Sequence, residues 1–185
     1  MNKIRLHGFL AESEVNGPGK RSVIWTQGCN RRCSGCWNKD SWDPFGGEEH
    51  DIDLLIARIP FDRIQGISFS GGEPFLQAIS CALIAEDAKA RGKDVLCYTG
   101  FTLEELRQLE DASAERFLKS IDILIDGAYI KGLPTRHPWC GSGNQRVLRM
   151  MGGTALGELL YSEDEVPMDR EIRILGDGTI ITTGF

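Results

Sequence analysis

Short apolar runs alternate along the chain with longer amphipathic ones. The short runs predict strands at 3–10, 22–27, 64–70, 94–99, 121–126, 145–150 and 171–175. The longer ones predict helices at 51–59, 74–91, 102–110 and 113–120. Between Asp122 and Asp126 every residue is apolar, which suits a strand covered on both faces. In the longest helix Leu76, Ile79, Leu83 and Ile84 are expected on one face, with Lys89 and Arg91 near the end and Gly92 as the stop. Thr102 and Glu105 form a capping box ahead of Leu106 and Leu109.

Strands that alternate with helices imply βαβ units and a mostly parallel sheet. A closed eightfold barrel typically takes ~250 residues, and this chain has 185. The expected fold class is therefore α/β, an open or partial (βα) barrel forming one domain over residues 1–185. In the tail, Asp177-Gly178 sits between two β-rich runs and predicts a C-terminal hairpin. Residues 152–169, rich in glycine and acidic residues, predict an irregular excursion.

A composition of 41% hydrophobic and 26% charged residues is ordinary for a globular protein. The net charge of −6 argues against a general nucleic-acid binder. Lys3, Arg5 and His7 break any apolar core of a signal peptide, and no apolar run approaches the ~20 residues of a membrane span. A cytoplasmic protein without a membrane partner is expected. The six cysteines are then not read as three disulfides.

Three of those cysteines crowd into TQGCNRRCSGCWN (26–38), where Cys29, Cys33 and Cys36 are spaced C-x3-C-x2-C. A structural zinc takes four ligands, and the nearest following imidazole, His50, stands fourteen residues beyond Cys36. An iron–sulfur cube also usually takes four cysteines. With three, one corner stays open, the arrangement by which a catalytic metal binds substrate. Gly28 and Gly35 let the backbone fold tightly so that peptide N–H groups reach sulfur. At this point a zinc module, an electron carrier and an open catalytic cluster all remain.

A second motif, SFSGGEPFLQ (68–77), follows a predicted strand and opens a predicted helix. Gly71 and Gly72 permit a sharp turn and close backbone approach to a ligand. Pro74 suits a first helical position. Glu73 is placed at the C-terminal edge of the sheet, where ligands of parallel sheets bind.

Together, C-x3-C-x2-C and GGEP resemble the radical S-adenosylmethionine superfamily. The resemblance implies a [4Fe–4S] cluster on Cys29, Cys33 and Cys36, with S-adenosyl-L-methionine closing the open corner. Gly72 and Glu73, next to Gly71, would contact its methionine part, and Gly35 and Trp37 would approach the adenine. The segment VNGPGKRSVIWTQGCNRRCSGCWN is similar to the glycyl-radical-enzyme activases, in which a GPG turn and an arginine precede a QGC loop. Here these are Gly17-Pro18-Gly19, Arg21 and Gln27-Gly28-Cys29. CYTGFTLEEL, IDILIDGAYI and GSGNQRVL further resemble activases of anaerobic (class III) ribonucleotide reductase. Cys140 departs from that pattern, because those activases tend to carry an arginine there.

The resemblance implies one-electron cleavage of S-adenosylmethionine to methionine and a 5′-deoxyadenosyl radical, which takes hydrogen from a backbone glycine of a partner enzyme. It also implies a flavodoxin- or ferredoxin-type electron donor. Hydrogen-atom abstraction needs no general base. Two other classes stand beside this one: a radical enzyme acting on a small molecule or peptide, such as a 7-carboxy-7-deazaguanine-synthase-like enzyme, and a non-catalytic iron–sulfur or zinc protein.

Several residues carry open alternatives. Asp126, at a strand end, is suited to bind ribose, to hold a cation, or to cap the next turn. Thr99 and Asn144 are further cofactor candidates. Arg21 is expected to meet a carboxylate or partner, or to be a solvated loop residue. Arg31 and Arg32 offer a landing point for an acidic partner or electron donor, or are simply solvated. Cys81 and Cys97 are expected in the core, whereas Cys140 is a loop residue able to ligate an extra metal. His7, His50 and His137 are read as structural or exposed, and Trp25, Trp42 and Trp139 as packing residues.

Overall fold

Six strands that emerge from the 3–151 region, and two the pattern did not announce, join in one sheet. The computed structural model describes residues 2–160, 170–174, 176 and 178–184. The strands are β1 (Lys3–Ser13), β2 (Arg21–Thr26), β3 (Glu48–Asp51), β4 (Gly66–Gly71), β5 (Asp94–Tyr98), β6 (Ile123–Asp126), β7 (Arg146–Met151) and β8 (Thr154–Glu158). Their order is β3-β1-β2-β4-β5-β6-β7-β8. The central block β2-β4-β5-β6 is parallel, and antiparallel strands extend it on both sides. β3 and β8 end the order without meeting, so the barrel is open, as expected.

The central strands are buried on both faces. On β5, Val95 and Cys97 join the main core, while Leu96 and Tyr98 join a smaller cluster with Ile125, Cys140 and Val147 on the other face. The main core lies under α1 (Ile52–Ala57), α2 (Ala78–Ala90), α3 (Leu103–Arg107) and α4 (Ala112–Ser120). Phe117 of α4 sits with its ring 5.1 Å from those of both Phe69 and Phe75. Among the described residues no helix is long and apolar enough to cross a membrane.

The helix expected at 74–91 opens as a 3-10 turn over Pro74–Gln77 before α2 begins. Its buried face is also different. Ala78, Cys81, Ala82, Ile84, Ala85 and Ala88 face the core, while Leu76 and Ile79 are exposed. Small side chains let the helix lie close to its neighbours, with Ile84 fully buried among them as expected. The capping box of Thr102 and Glu105 forms at the start of α3.

β3 has the sequence EEHD and no apolar signal. It pairs with the edge of β1, where Glu49 approaches Lys3 (3.9 Å) and Arg5 (3.6 Å). β8 corrects the irregular excursion expected over 152–169. Met151 opposes Thr154, and Gly152 (φ 56°) and Gly153 (φ 84°) make the two-residue turn that such hairpins require. Residues 161–169 of that segment lie outside the described residues.

The C-terminal hairpin joins β9 (Arg170–Ile174) to β10 (Ile180–Gly184), with Ile180 opposite Ile174. Asp177, half of the expected turn, lies outside the described residues. The hairpin is fastened to the body through buried polar groups. Ser13 Oγ donates to Glu171 Oε2 at 2.6 Å, and Thr183 Oγ1 donates to Asn16 Oδ1 at 3.0 Å.

Arg21 is neither solvated nor aimed at a partner. It is fully buried at the start of β2, with Nη2 2.5 Å from Asp94 Oδ1. Its guanidinium also donates to Ser68 Oγ (2.8 Å), the Ile67 carbonyl (2.8 Å) and the Pro18 carbonyl (3.0 Å). A cation can be buried here because carbonyls, a hydroxyl and a carboxylate replace its water.

Candidate functional site

The parallel strands β2, β4, β5 and β6 end at Thr26, Gly71, Tyr98 and Asp126, and the loops that follow them enclose a cavity of about 820 Å³. Cys29, Cys33 and Cys36 line it together with Gly71, Gly72, Glu73 and Thr99. All three thiols are free and half-buried.

The cysteine loop is held from inside and below. Gly28 N–H donates to the Ser41 carbonyl (2.8 Å) and Cys29 N–H to that of Trp42 (3.2 Å). The buried Gln27 amide reaches across the loop to the carbonyls of Asp40 (2.9 Å) and Asp43 (2.7 Å). Gln77 then ties the Gln27 carbonyl (2.9 Å) to that of Arg5 (2.7 Å). Burial pushes the Cys29 thiol up, opposed by the N–H groups of Arg32 and Arg31, which donate to its sulfur. Arg32 has φ 45°, a left-handed conformation that costs a non-glycine residue about 1–2 kcal/mol.

The glycines of GGEP serve backbone packing. A Cβ on Gly71, where φ is 97°, would stand 2.6 Å from the Thr26 nitrogen, and one on Gly72 would stand 2.3 Å from the Gly28 carbonyl oxygen. Gly72 N–H donates to Thr26 and Glu73 N–H to Gly28, both at 2.8 Å, so this turn is bound to the cysteine loop. Glu73 is 1% exposed. Its carboxylate accepts from Phe75 N–H (3.1 Å), Thr99 Oγ1 (2.8 Å) and Gly100 N–H (2.8 Å). Burial still raises its pKa to about 7.

Of the other candidates, Trp37 lines the cavity and is largely exposed. Gly35 is not part of the lining; its φ of 79° and missing Cβ make room for the Lys131 side chain. Asp126 and Asn144 also stand off the cavity. Asp126 is buried, accepts Leu103 N–H at 2.8 Å, and is gripped by Arg146, its direct partner in the β6–β7 register. Asp126 thus caps the start of α3 through Leu103 N–H. Asn144 is exposed, donating to the Ala128 carbonyl and accepting from Ser142.

Arg31 lines the cavity, with Glu105 3.5 Å from its guanidinium and the Phe101 ring 4.7 Å beneath it. It is therefore more than a solvated side chain. Trp25 and Trp42 also line the cavity, whereas Trp139 packs on the smaller cluster. Cys81 and Cys97 are core thiols. Cys140 is buried against Tyr98 and Val147, and burial pushes its thiol up to about 12, unlike a metal-ready thiolate. Tyr98, Tyr129 and residues 179–184 also line the cavity, and Gln77 braces the cysteine loop; sequence reasoning did not single them out as site residues, because only the fold brings them there.

The donor set fits a cluster better than a single ion. Among the described residues no three His, Cys, Asp or Glu side chains are gathered as they would be about one metal. His50 lies with Glu48 (3.7 Å) and outside the cavity lining, which removes the Cys3His zinc site. Three thiols lining one cavity at C-x3-C-x2-C spacing suit an iron–sulfur cluster. Trp42 Nε1, buried on a lining residue without an acceptor, is the kind of unpaired donor that a polar ligand satisfies.

Residues 15–148 match the family described as 4Fe-4S single cluster domain. The anaerobic ribonucleoside-triphosphate reductase-activating protein of Enterobacteria phage T4 is 36% identical over 140 residues, 72% of this chain and 86% of that one. The protein of the same name from Salmonella typhi is 35% identical over 158 residues, 78% of this chain and 97% of that one. Its Escherichia coli K12 counterpart is 33% identical, covering 76% and 96%. Among solved structures, the crystal structure of QueE from Escherichia coli matches 54% of this chain and 53% of that one at a TM-score of 0.43 and 16% identity, too slight a likeness to carry an argument. With the cysteine loop and the Gly71–Glu73 turn inside the matched span, and relatives matched over nearly their whole length, the chain belongs to the anaerobic ribonucleoside-triphosphate reductase-activating proteins of the radical S-adenosylmethionine superfamily.

Proposed function

We propose that this protein activates an anaerobic ribonucleotide reductase by forming a radical on a backbone glycine of that enzyme. The observation that carries the reading is the sharing of one cavity by Cys29, Cys33, Cys36 and the Gly71–Glu73 turn, at the carboxyl ends of parallel strands. The names and identities of the relatives support the choice of partner.

In this reading Cys29, Cys33 and Cys36 would hold a [4Fe–4S] cluster, and Gly71, Gly72, Thr99 and Trp37, which line the same cavity, would contact S-adenosylmethionine. When bound, the pair supplies a 5′-deoxyadenosyl radical by one-electron cleavage of the S–C5′ bond, which leaves methionine and takes one hydrogen atom from the glycine Cα. The residues of this chain position and shield. Gln27 and Gln77 fix the cysteine loop, Glu73 and Thr99 join the turn after β4 to the loop after β5, and the N–H groups aimed at Cys29 sulfur favour its thiolate. A cytoplasmic flavodoxin- or ferredoxin-type protein delivers the electron, and the 185 residues work as one domain.

The test begins with anaerobic reconstitution and iron and sulfide analysis. Dithionite and S-adenosylmethionine should then yield 5′-deoxyadenosine, and addition of the reductase should yield a glycyl EPR signal. Deoxyadenosine without any glycyl signal would point instead to a small-molecule or peptide substrate.

A further inference from the structure

The cysteine loop reverses the charge of the chain that carries it. Residues 28–39, GCNRRCSGCWNK, hold Arg31, Arg32 and Lys39 and no carboxylate, in a protein whose net charge is −6. A further cation joins them from the loop after β6. The Lys131 stem lies so close to Gly35 that a Cβ there would stand 2.7 Å from its Cδ. Arg32, Lys39 and Lys131 are exposed. Arg31 differs, since its guanidinium lies over the Phe101 ring with Glu105 at 3.5 Å.

Arg32 has a second peculiarity. Its φ of 45° is one that glycine adopts without cost, yet a long charged residue stands there. The turn it makes brings the N–H groups of Arg31 and Arg32 to the sulfur of Cys29, while Arg32 itself stays exposed to solvent. One stretch of backbone thus touches a thiol of the cysteine site and shows a cation at the surface. Strain of this kind gathers where function holds it.

We propose that Arg32, Lys39 and Lys131 form the docking surface for the electron donor, an acidic one-electron carrier protein that seats over the Arg31–Arg32 turn. The proposal rests on the cluster reading above. One electron leaves the carrier, which is oxidised, and enters the cluster, which is reduced; no bond forms or breaks. Electron tunnelling falls steeply with distance, so the carrier has to approach the cysteine loop itself. The Arg31–Arg32 turn is a surface segment whose own N–H groups reach one of the thiols. Charge complementarity selects the occupant: the negative balance of the chain repels an acidic carrier, and the basic loop draws it in. Redox encounters use small interfaces, below ~1,200 Å², so a few cations suffice.

The test uses the reconstituted full chain and the flavodoxin or ferredoxin of the same organism, with affinity read by titration. Wild-type binding should weaken as salt rises. Arg32→Gly keeps the left-handed backbone and removes the cation, so its iron content should match wild type. With Lys39→Gln and Lys131→Gln added, the carrier should bind about tenfold more weakly at low salt, and the difference should close at high salt. The double variant Lys39→Gln/Lys131→Gln should keep its dithionite-driven yield of 5′-deoxyadenosine, because a small reductant needs no docking, while its carrier-driven rate falls. Equal carrier affinity in every variant, or affinity indifferent to salt, would overturn the docking surface and leave the activase reading intact. Variants that lose the reductase and keep the carrier would overturn it too, assigning these cations to the protein substrate. A wild-type chain that yields no 5′-deoxyadenosine with dithionite would overturn the activase reading and the proposal with it.

Discussion

Thr99 Oγ1 donates to Glu73 Oε1 at 2.8 Å, joining the loop after β5 to the turn after β4. The bond lies beneath the cavity floor, with Thr99 4% and Glu73 1% exposed. Two strand ends that share the site are thereby set relative to each other by side chains.

Burial raises the Glu73 pKa from 4.5 to about 7, so the folded chain holds a proton that the unfolded chain releases. The stabilising contribution of this group is complete below pH 4.5 and fades as pH rises through 7. Against Glu73→Gln, which does not titrate, wild-type stability should fall by about 3 kcal/mol across that window. Urea unfolding of the cluster-free chain at several pH values measures this, and a pH-independent difference would contradict it. Thr99→Val should cost about 1 kcal/mol and push the carboxyl higher still.

Arg21→Met should destabilise the fold by about 3–5 kcal/mol, because it strips the charge partner from Asp94 and leaves the Ser68 and Ile67 acceptors unpaired. Asp94 Oδ1 has no aligned hydrogen-bond donor, so charge attraction alone holds it. Chemical denaturation should show the loss, and a double variant with Asp94→Leu should recover part of it.

Replacing any one of Cys29, Cys33 or Cys36 by serine should abolish stable iron incorporation on reconstitution. Cys140→Ser and Cys81→Ala should retain the wild-type iron content, since both thiols are enclosed by the core. Parallel iron and sulfide assays separate the two groups, and loss of iron in Cys140→Ser would restore that residue as a ligand.

Arg146→Met should release both Asp126 and Glu104, whose carboxyl is held down to about 2 by its hydrogen bond to that guanidinium. The expected outcome is faster amide exchange in α3, where Leu103 N–H leans on Asp126, with affinity for S-adenosylmethionine changed less than threefold. A large loss of affinity would return Asp126 to the cofactor.

What was legible in the sequence was local. The capping box at Thr102, the cysteine spacing and the GGEP turn are short-range signals, and each appears where its chemistry demands. What escaped depends on distant partners. The pairing of Asp126 with Arg146, twenty residues away, shows only in the register of β6 and β7. For Arg21 the sequence leaves a carboxylate, a partner and solvent all open, and only the fold supplies Asp94 as the carboxylate and Ser68 beside it. β3 has no apolar face to announce it, and the exposure of Leu76 and Ile79 follows from the closeness that alanines permit on the other side of α2.

Gln27 and Gln77 tie residues 27–43 together through the carbonyls of Gln27, Asp40 and Asp43. The setting of the three thiols is thus written into amide side chains remote from the sulfur atoms, and a change at Gln27 or Gln77 reaches the cysteines without touching one.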